Sequence, residues 1–207
     1  MTTRITIVRH GNTFLQNEVP RRIGRSTDIP LVEKGRQQAL ALADFFRSEP
    51  IRFDQVLVSP LQRTRETAAL IISDYHQPPP VMTCEWLAEV DHGPDENQSE
   101  ETIIARIGTA ALSAWEKQAV PPPGWRVDSE ARLTAWRTLF AADADGAPRD
   151  ILVVTSNGAA RFALMATDAL WEQAHMLPHL KLRTGAWGRI VVMDGRVSLE
   201  AWNQLPA

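Results

Sequence analysis

The stretch Ile5-Thr6-Ile7-Val8-Arg9-His10-Gly11-Asn12-Thr13 decides how the rest of the chain is read. Ile5-Thr6-Ile7-Val8 is a short run, mostly apolar and β-branched throughout, the pattern of a buried parallel strand. The pentapeptide Arg9-His10-Gly11-Asn12-Thr13 then falls at that strand's carboxyl end, where open α/β sheets place their ligands. It joins a candidate nucleophile or base, His10, to a planar cation, Arg9. Gly11 between them and the next turn lets backbone approach a ligand closely.

Working outward, strand and helix alternate, which predicts an α/β sheet fold. A loop holding Arg21, Arg22 and Arg25 follows the pentapeptide. A helix is predicted over residues 32–47, with Ala39, Leu42 and Phe46 on one buried face. Val32 offers no side-chain cap there, while Glu33 suits the positive end of the helix dipole. Residues 53–58 read as a second strand. Ser59-Pro60-Leu61-Gln62 reads as a helix start, with serine at N-cap, proline at N1 and glutamine at N3, and the helix runs to about residue 75. Residues 81–84 are a short third strand.

The texture changes between residues 91 and 146. Gly93-Pro94-Asp95-Glu96-Asn97 has turn chemistry, and Ser99 can cap a helix striped by Ile103/Ile104, Ile107, Ala111 and Trp115. Pro121-Pro122-Pro123-Gly124-Trp125 breaks it. Asp128 can cap another helix that ends near Asp143-Ala144-Asp145-Gly146. A helical insertion or lid over residues 91–147 is predicted, within one domain of residues 1–207. Ile151-Leu152-Val153-Val154 is another buried strand, followed by Thr155-Ser156-Asn157-Gly158 and a helix through residue 169. The end of the chain reads as a hairpin turning at Asp194-Gly195.

The bulk numbers narrow the function classes. The chain has 207 residues, 44% of them hydrophobic, with a formal net charge of -3, enough for one sizeable core. Nothing in that balance argues for nucleic acid or an anionic membrane surface as partner. The single cysteine, Cys84, excludes an intrachain disulfide, and no CxxC or His-rich spacing suggests a metal site. The first residues lack the 7–15-residue apolar stretch of a secretory signal, and no run approaches the roughly 18 apolar residues of a membrane span. A cytoplasmic protein is the expectation. Seven tryptophans and the C-terminal hairpin could support a homodimer, which nothing in the sequence demands.

Three groups could serve chemistry beside His10. Arg63 sits near a helix start, so Ser59 to Arg63 reads as a phosphate-binding corner; Arg65 reads as an ordinary solvated arginine. Glu89, in Leu87-Ala88-Glu89-Val90-Asp91-His92-Gly93, could protonate a leaving oxygen if burial raised its pKa. Glu85, Asp91 and Glu96 are rivals that spacing alone does not separate. Arg21, Arg22 and Arg25 could clamp a second anionic group of a substrate, or could be a solvated loop. Trp86 and Trp125 could line a pocket or serve as packing anchors.

Several segments, in order, resemble one family, the histidine phosphatases or phosphoglycerate-mutase-like superfamily. They are Arg9-His10-Gly11-Asn12-Thr13; Asp28-Ile29-Pro30-Leu31 with Lys34-Gly35-Arg36 and Gln38-Ala39; Ser59-Pro60-Leu61-Gln62-Arg63 with Thr67-Ala68; and Leu87-Ala88-Glu89 leading to Gly93. The resemblance implies a three-layer α/β/α sandwich with a central, mostly parallel sheet, the helical insertion lying over the carboxyl ends of its strands. It implies that His10 attacks phosphorus, that Arg9 and Arg63 hold phosphoryl oxygens, and that Glu89 donates a proton. No metal or other cofactor is implied. Asn12, Thr13, Arg21 and Arg22 are candidates for substrate contacts, the substrate being a small phosphorylated metabolite.

One departure stands out. The family normally carries a second histidine before a glycine at the late strand's end, and here Asn157 precedes Gly158. An amide donates one good hydrogen bond to a phosphoryl oxygen but cannot become cationic, so catalysis should weaken. His92 could stand in as the missing cation, or be a plain turn residue. The reading is therefore a phosphomonoester phosphatase working through phospho-His10. A weakened member that binds a phosphorylated ligand for regulation, or a mutase, are the alternatives.

Overall fold

The computed structural model describes residues 2–142 and 149–206. In chain order the strands are β1 (Thr2–Arg9), β2 (Arg21–Arg22), β3 (Gln55–Val58), β4 (Val81–Thr83), β5 (Gln98–Ser99), β6 (Arg149–Thr155), β7 (Trp187–Met193) and β8 (Arg196–Gln204). The helices are α1 (Glu33–Ser48), α2 (Gln62–Ile71), α3 (Glu100–Gln118), α4 (Ser129–Ala141), α5 (Asn157–Met165) and α6 (Asp168–Ala174). Six strands form one sheet in the order β4-β3-β6-β1-β7-β8. Neighbours from β4 to β1 run parallel, and the terminal hairpin adds β7 antiparallel to β1. β2 and β5 form a separate two-residue ladder.

Alternation along the central strands makes three layers, because successive strand residues face opposite sides. Val8, Val56, Val58, Leu152 and Val154 pack with Leu42 and Phe46 of α1 and Ala68 and Ile71 of α2. Ile5, Ile7, Leu57, Ile151 and Val153 face the other way, into a cluster with Trp115 of α3, Trp136 of α4, Phe162 of α5 and Leu170 of α6. The predicted α/β/α sandwich is thus built on the predicted strands. Asp194 and Gly195 both take positive φ in the hairpin turn, as a two-residue connection requires. Among the described residues no helix is long and apolar enough to cross a membrane.

Several local expectations change. Ser59 does not cap α2. The helix begins at Gln62 with Leu61 at N-cap and no side-chain cap bond, and the Gln62 N–H donates instead to Asp28 Oδ1 at 2.6 Å. It ends at Ile71, not near residue 75. Ser99 and Asp128 do cap α3 and α4, accepting from Thr102 N and Ala131 N. Within α3, Gly108 leaves helical dihedrals (φ 77, ψ 161). That kink shifts the phase of the buried stripe beyond it, so Leu112 is buried rather than Ala111; before the kink Ile103 is buried and Ile104 exposed. The single helix expected after β6 is two, because Thr167 caps a fresh start by accepting from Leu170 N at 3.2 Å. The turn at residues 143–146 and the end of the insertion at 147 lie outside the described residues.

Candidate active site

The carboxyl end of β1 carries the site. The His10 N–H donates to Thr155 O of β6 and the Gly185 N–H to His10 O; the Gly11 N–H donates to Thr67 Oγ1 of α2. A Cβ on Gly11 would stand 2.3 Å from Gly35 O in α1, so glycine is required for the loop to lie against that helix. His10 is 4% exposed. Its Nδ1 lies 2.8 Å from Gly11 O. A carbonyl only accepts, so Nδ1 carries the proton and Nε2 keeps its lone pair. Arg63 donates its Nε–H to that Nε2 at 3.3 Å. Burial first, then the Arg63 and Arg9 charges, push the His10 pKa well below the ordinary histidine value. The ring is a neutral imidazole with its nucleophilic nitrogen available.

Arg63 is fully buried on α2. Its other nitrogens donate to Thr27 O and Gly24 O, at 2.9 and 3.0 Å. It meets the site at His10 and stands behind the cleft wall rather than on it. The expected phosphate corner from Ser59 to Arg63 changes accordingly, because Asp28 already takes the Gln62 amide and only the Arg63 side chain reaches the site. Arg9 lines the cleft and donates from Nη1 to Leu182 O at 2.7 Å, while its buried Nε has no partner. Loss of surrounding water pulls its pKa down to about 10, against the opposing pull of Glu89. It remains a cation at neutral pH.

Glu89 also lines the cleft and is 7% exposed. Its Oε1 accepts from Val90 N at 2.8 Å and Oε2 from Gly158 N at 3.0 Å, at the start of α5. Burial raises its pKa, but His92, those two N–H bonds and Arg63 outweigh that, and the net shift is downward. The carboxyl is therefore ionised in the free protein, opposite to the expectation that burial would raise it. Its rivals are occupied elsewhere. Glu85 pairs with Arg25 at 2.8 Å, Asp91 accepts from Gly93 N, and Glu96 accepts from Gly24 N and Thr27 Oγ1.

Asn157 Oδ1 accepts from Leu182 N at 3.0 Å. That bond fixes the amide's orientation and leaves the two Nδ2 donors for the cleft it lines. The cleft has a volume of about 690 Å³ and also exposes Asn12, Thr13, Arg21 and Arg22. Asn12 is partly committed, since its Oδ1 accepts from Thr184 Oγ1 and its N–H donates to Gln38 Oε1. Arg21 lies over Phe14 and Arg22 over Trp125. Arg25 does not join them, because Glu85 holds it outside. Trp125 is a buried anchor and Trp86 packs edge-on against Trp136. The tryptophan on the cleft wall is Trp115, beside Glu116.

Sequence reasoning missed Lys34, Phe14 and Lys181, which also line the cleft, and the segment around Leu182 that seats Arg9 and Asn157. It also missed Arg132 on α4. Arg132 is 6% exposed and donates from Nη1 to Trp86 O and Ala88 O, at 2.8 and 2.7 Å. It ties α4 to the residues just before Glu89. Arg132→Met keeps the side chain's length and removes both bonds, and buried carbonyls without donors are costly. Urea unfolding is expected to show a loss of about 2–3 kcal/mol, and kcat/KM is expected to fall about tenfold, or about 1.4 kcal/mol. An unchanged unfolding midpoint would count against the tether.

A neutral imidazole, two arginines and a carboxylate gathered at the carboxyl edge of a mostly parallel sheet define an α/β protein of the phosphoryl-handling class. The sequence profile of the histidine phosphatase superfamily (branch 1) matches residues 5–205, and the chain belongs to that superfamily. It is 28% identical to an adenosylcobalamin/alpha-ribazole phosphatase of Salmonella typhimurium over 97% of this chain and 96% of that one. It is 30% identical to a 2,3-bisphosphoglycerate-dependent phosphoglycerate mutase of Methylobacterium sp., covering 76% and 77% of the two chains. The fold is shared with a mycobacterial glucosyl-3-phosphoglycerate phosphatase, with a TM-score of 0.75, 22% identity, and 98% and 99% of the chains covered.

Proposed function

We propose that this protein is a phosphatase that hydrolyses a small phosphomonoester through a phosphohistidine on His10. The observation that carries the reading is the orientation of that ring. The Gly11 carbonyl accepts a hydrogen bond from Nδ1–H, which leaves the Nε2 lone pair beside Arg63 and the cleft. Attack by Nε2 forms the N–P bond while the P–O ester bond breaks and its electron pair goes to the leaving oxygen. Arg9 and the Asn157 Nδ2 donors meet the phosphoryl oxygens. Once Nε2 bonds to phosphorus its lone pair no longer accepts the Arg63 Nε–H, and that donor is left for one of those oxygens. Glu89 takes the proton that a monoanionic phosphomonoester brings and passes it to the leaving oxygen as the ester bond breaks. It enters the cycle ionised, and the negative charge of a bound phosphate raises its proton affinity. Water then attacks the phosphohistidine, Glu89 takes its proton, and the N–P bond breaks with its electron pair returning to Nε2.

The test is chemical trapping. Brief incubation with a ³²P-labelled phosphomonoester followed by alkaline quench is expected to leave acid-labile, base-stable label on His10, and none on His10→Ala. Absence of label on the wild-type protein overturns the reading and favours a ligand-binding role. Label that turns over only when an alcohol is added marks a mutase.

The cleft rim supports a substrate with a second anionic group. Among the described residues Arg21, Arg22, Lys34 and Lys181 line it without a carboxylate partner within ion-pair distance, and aromatic faces hold both arginines in place. Glu18 and Glu100 on the same wall limit how much negative charge it accepts. Arg22→Gln is expected to raise KM about tenfold, or about 1.4 kcal/mol, for a phosphorylated carboxylic acid. The KM for a phosphomonoester with no second charge should move far less. Equal changes for both would return the arginines to a solvated loop.

A further inference from the structure

A buried guanidinium lies behind the cleft wall, and nothing in the mechanism above uses it. Arg161 stands one turn after Asn157 on α5, so the two side chains leave the same face of that helix. It is 1% exposed. Its Nη1 donates to Trp115 O, and the guanidinium lies over the Trp115 ring, 4.3 Å from the centroid. Its Nε and Nη2 are buried without a hydrogen-bond partner. Glu116 Oε2 stands 3.7 Å from Nη2, beyond hydrogen-bond reach but close enough for the charges to attract. Trp115 and Glu116 both line the cleft, as do Arg9 and Asn157. His92, on the same cleft, packs edge-on against Trp125 beside Glu96.

We infer that Arg161 is a positioning residue for phosphate binding. It holds the Glu116 carboxylate and offsets its charge, so that Glu116 does not compete with the phosphoryl group for Arg9. The inference rests on the reading above that Arg9 receives phosphoryl oxygens, and it names what keeps that cation available. It concerns the binding step, in which no covalent bond forms or breaks.

The surroundings fit that role. The charges that act on Arg9 are two carboxylates, Glu89 and Glu116, and two guanidinium groups, Arg63 and Arg161. Glu89 is tied down by the amides of Val90 and Gly158. Among the described residues the Glu116 carboxylate accepts no hydrogen bond, and it is partly exposed. Arg161 is its counter-charge. Without Arg161 the carboxylates around Arg9 outnumber the other cations, and Glu116 attracts Arg9 while repelling a phosphate. Burial lowers the Arg161 pKa, and Glu116 is the largest opposing pull. The charge persists, because a guanidinium keeps its proton in a protein. A buried cation with two bare nitrogens is a poor way to hold a fold together, since apolar side chains of similar volume often pack there at lower cost. Asn157, on the same helix face, carries no charge that could offset Glu116.

Equilibrium binding of inorganic phosphate, read by calorimetry, provides the test, because it needs no turnover. A unit charge about 10 Å from an anion, at an effective dielectric of about 20, shifts its affinity roughly tenfold. Arg161→Met is expected to weaken phosphate binding by about that tenfold. Glu116→Gln is expected to tighten binding by less than about threefold in the wild type, where Arg161 offsets the carboxylate, and by about tenfold in Arg161→Met. The double variant then binds phosphate about as well as the wild type. A wall that Arg161 merely props up would give no such restoration. Arg161→Gln, which keeps a donor for the Trp115 carbonyl, carries the same cycle if Arg161→Met fails to fold. Unchanged phosphate affinity without Arg161, or an equal Glu116→Gln effect in both backgrounds, overturns the proposal alone. A wild-type protein that binds phosphate but takes no label on His10 overturns the covalent reading alone. One that binds no phosphate overturns both.

Discussion

Gly158→Ala is expected to lower kcat/KM by about 100- to 1000-fold while the protein still folds. A Cβ at this position would stand 2.1 Å from Glu89 Oε1 and 3.0 Å from its carboxyl carbon. No contact of that kind survives, so one group must move. Glu89 is the end of a flexible side chain, whereas Gly158 lies on the first turn of α5, packed on the sheet. The carboxylate therefore leaves, and with it go the bond from Gly158 N and the favourable end of the helix dipole. The stability cost should be about 1–3 kcal/mol, the scale of one lost charged hydrogen bond. The catalytic cost should be larger, because the group that handles the proton has lost its place. The measurements are kcat/KM on an alkyl phosphate and the thermal midpoint of the same sample. Activity within threefold of wild type would mean that Glu89 works from some other position, or not at all.

The frame of the fold was legible because it depends on patterns within short windows. β1, β6 and the terminal hairpin are runs whose alternation can be read from a handful of residues, and α1 carries a clean apolar stripe. Errors arose where a distant residue settles a local choice. Ser59-Pro60-Leu61-Gln62 looks like a capped helix start, yet Asp28, from another segment, holds the Gln62 amide. In α3 a single glycine changed the phase of the stripe. Within the site, residue types announced His10, Arg9 and Arg63. Spacing could not choose among Glu85, Glu89, Asp91 and Glu96. What distinguishes Glu89 is the amide of Gly158, far along the chain. The segment before β7 was invisible for another reason. Leu182 and Gly185 act through backbone groups, and no side-chain pattern marks them.

One consequence concerns how rigidly the nucleophile is set. The backbone at His10 is held by β6 and by Gly185, and its ring by Gly11 O and Arg63. Each bond alone contributes on the order of 1 kcal/mol. Together they leave the imidazole one orientation, so the entropy of aligning it is lost on folding rather than at each turnover. Arg63 is fixed in the same way by the carbonyls of Gly24 and Thr27.

The opposite charge at position 157 should have the other large effect. Asn157→Asp is nearly the same shape. One carboxylate oxygen can keep the bond from Leu182 N, and an acid in the first turn of α5 suits the helix dipole. Stability should therefore be unchanged or slightly higher. The second oxygen, however, replaces the Nδ2 donors with a negative acceptor facing the cleft. A phosphoryl group loses a donor and gains a repulsion, and kcat/KM is expected to fall about 1000-fold, or about 4 kcal/mol. Unaltered folding with lost activity would locate position 157 at the phosphoryl group; activity within tenfold of wild type would remove it from the site. Asn157→His sharpens the point. The Leu182 N–H needs an acceptor, so the new ring would turn an unprotonated Nδ1 to it and present Nε2–H to the cleft. That histidine is a neutral donor, not a cation. Its gain in rate should stay below about tenfold, and a larger gain would show that the Leu182 peptide gives way to an imidazolium. The loop before β7 thus sets how much charge position 157 can bring to the phosphate.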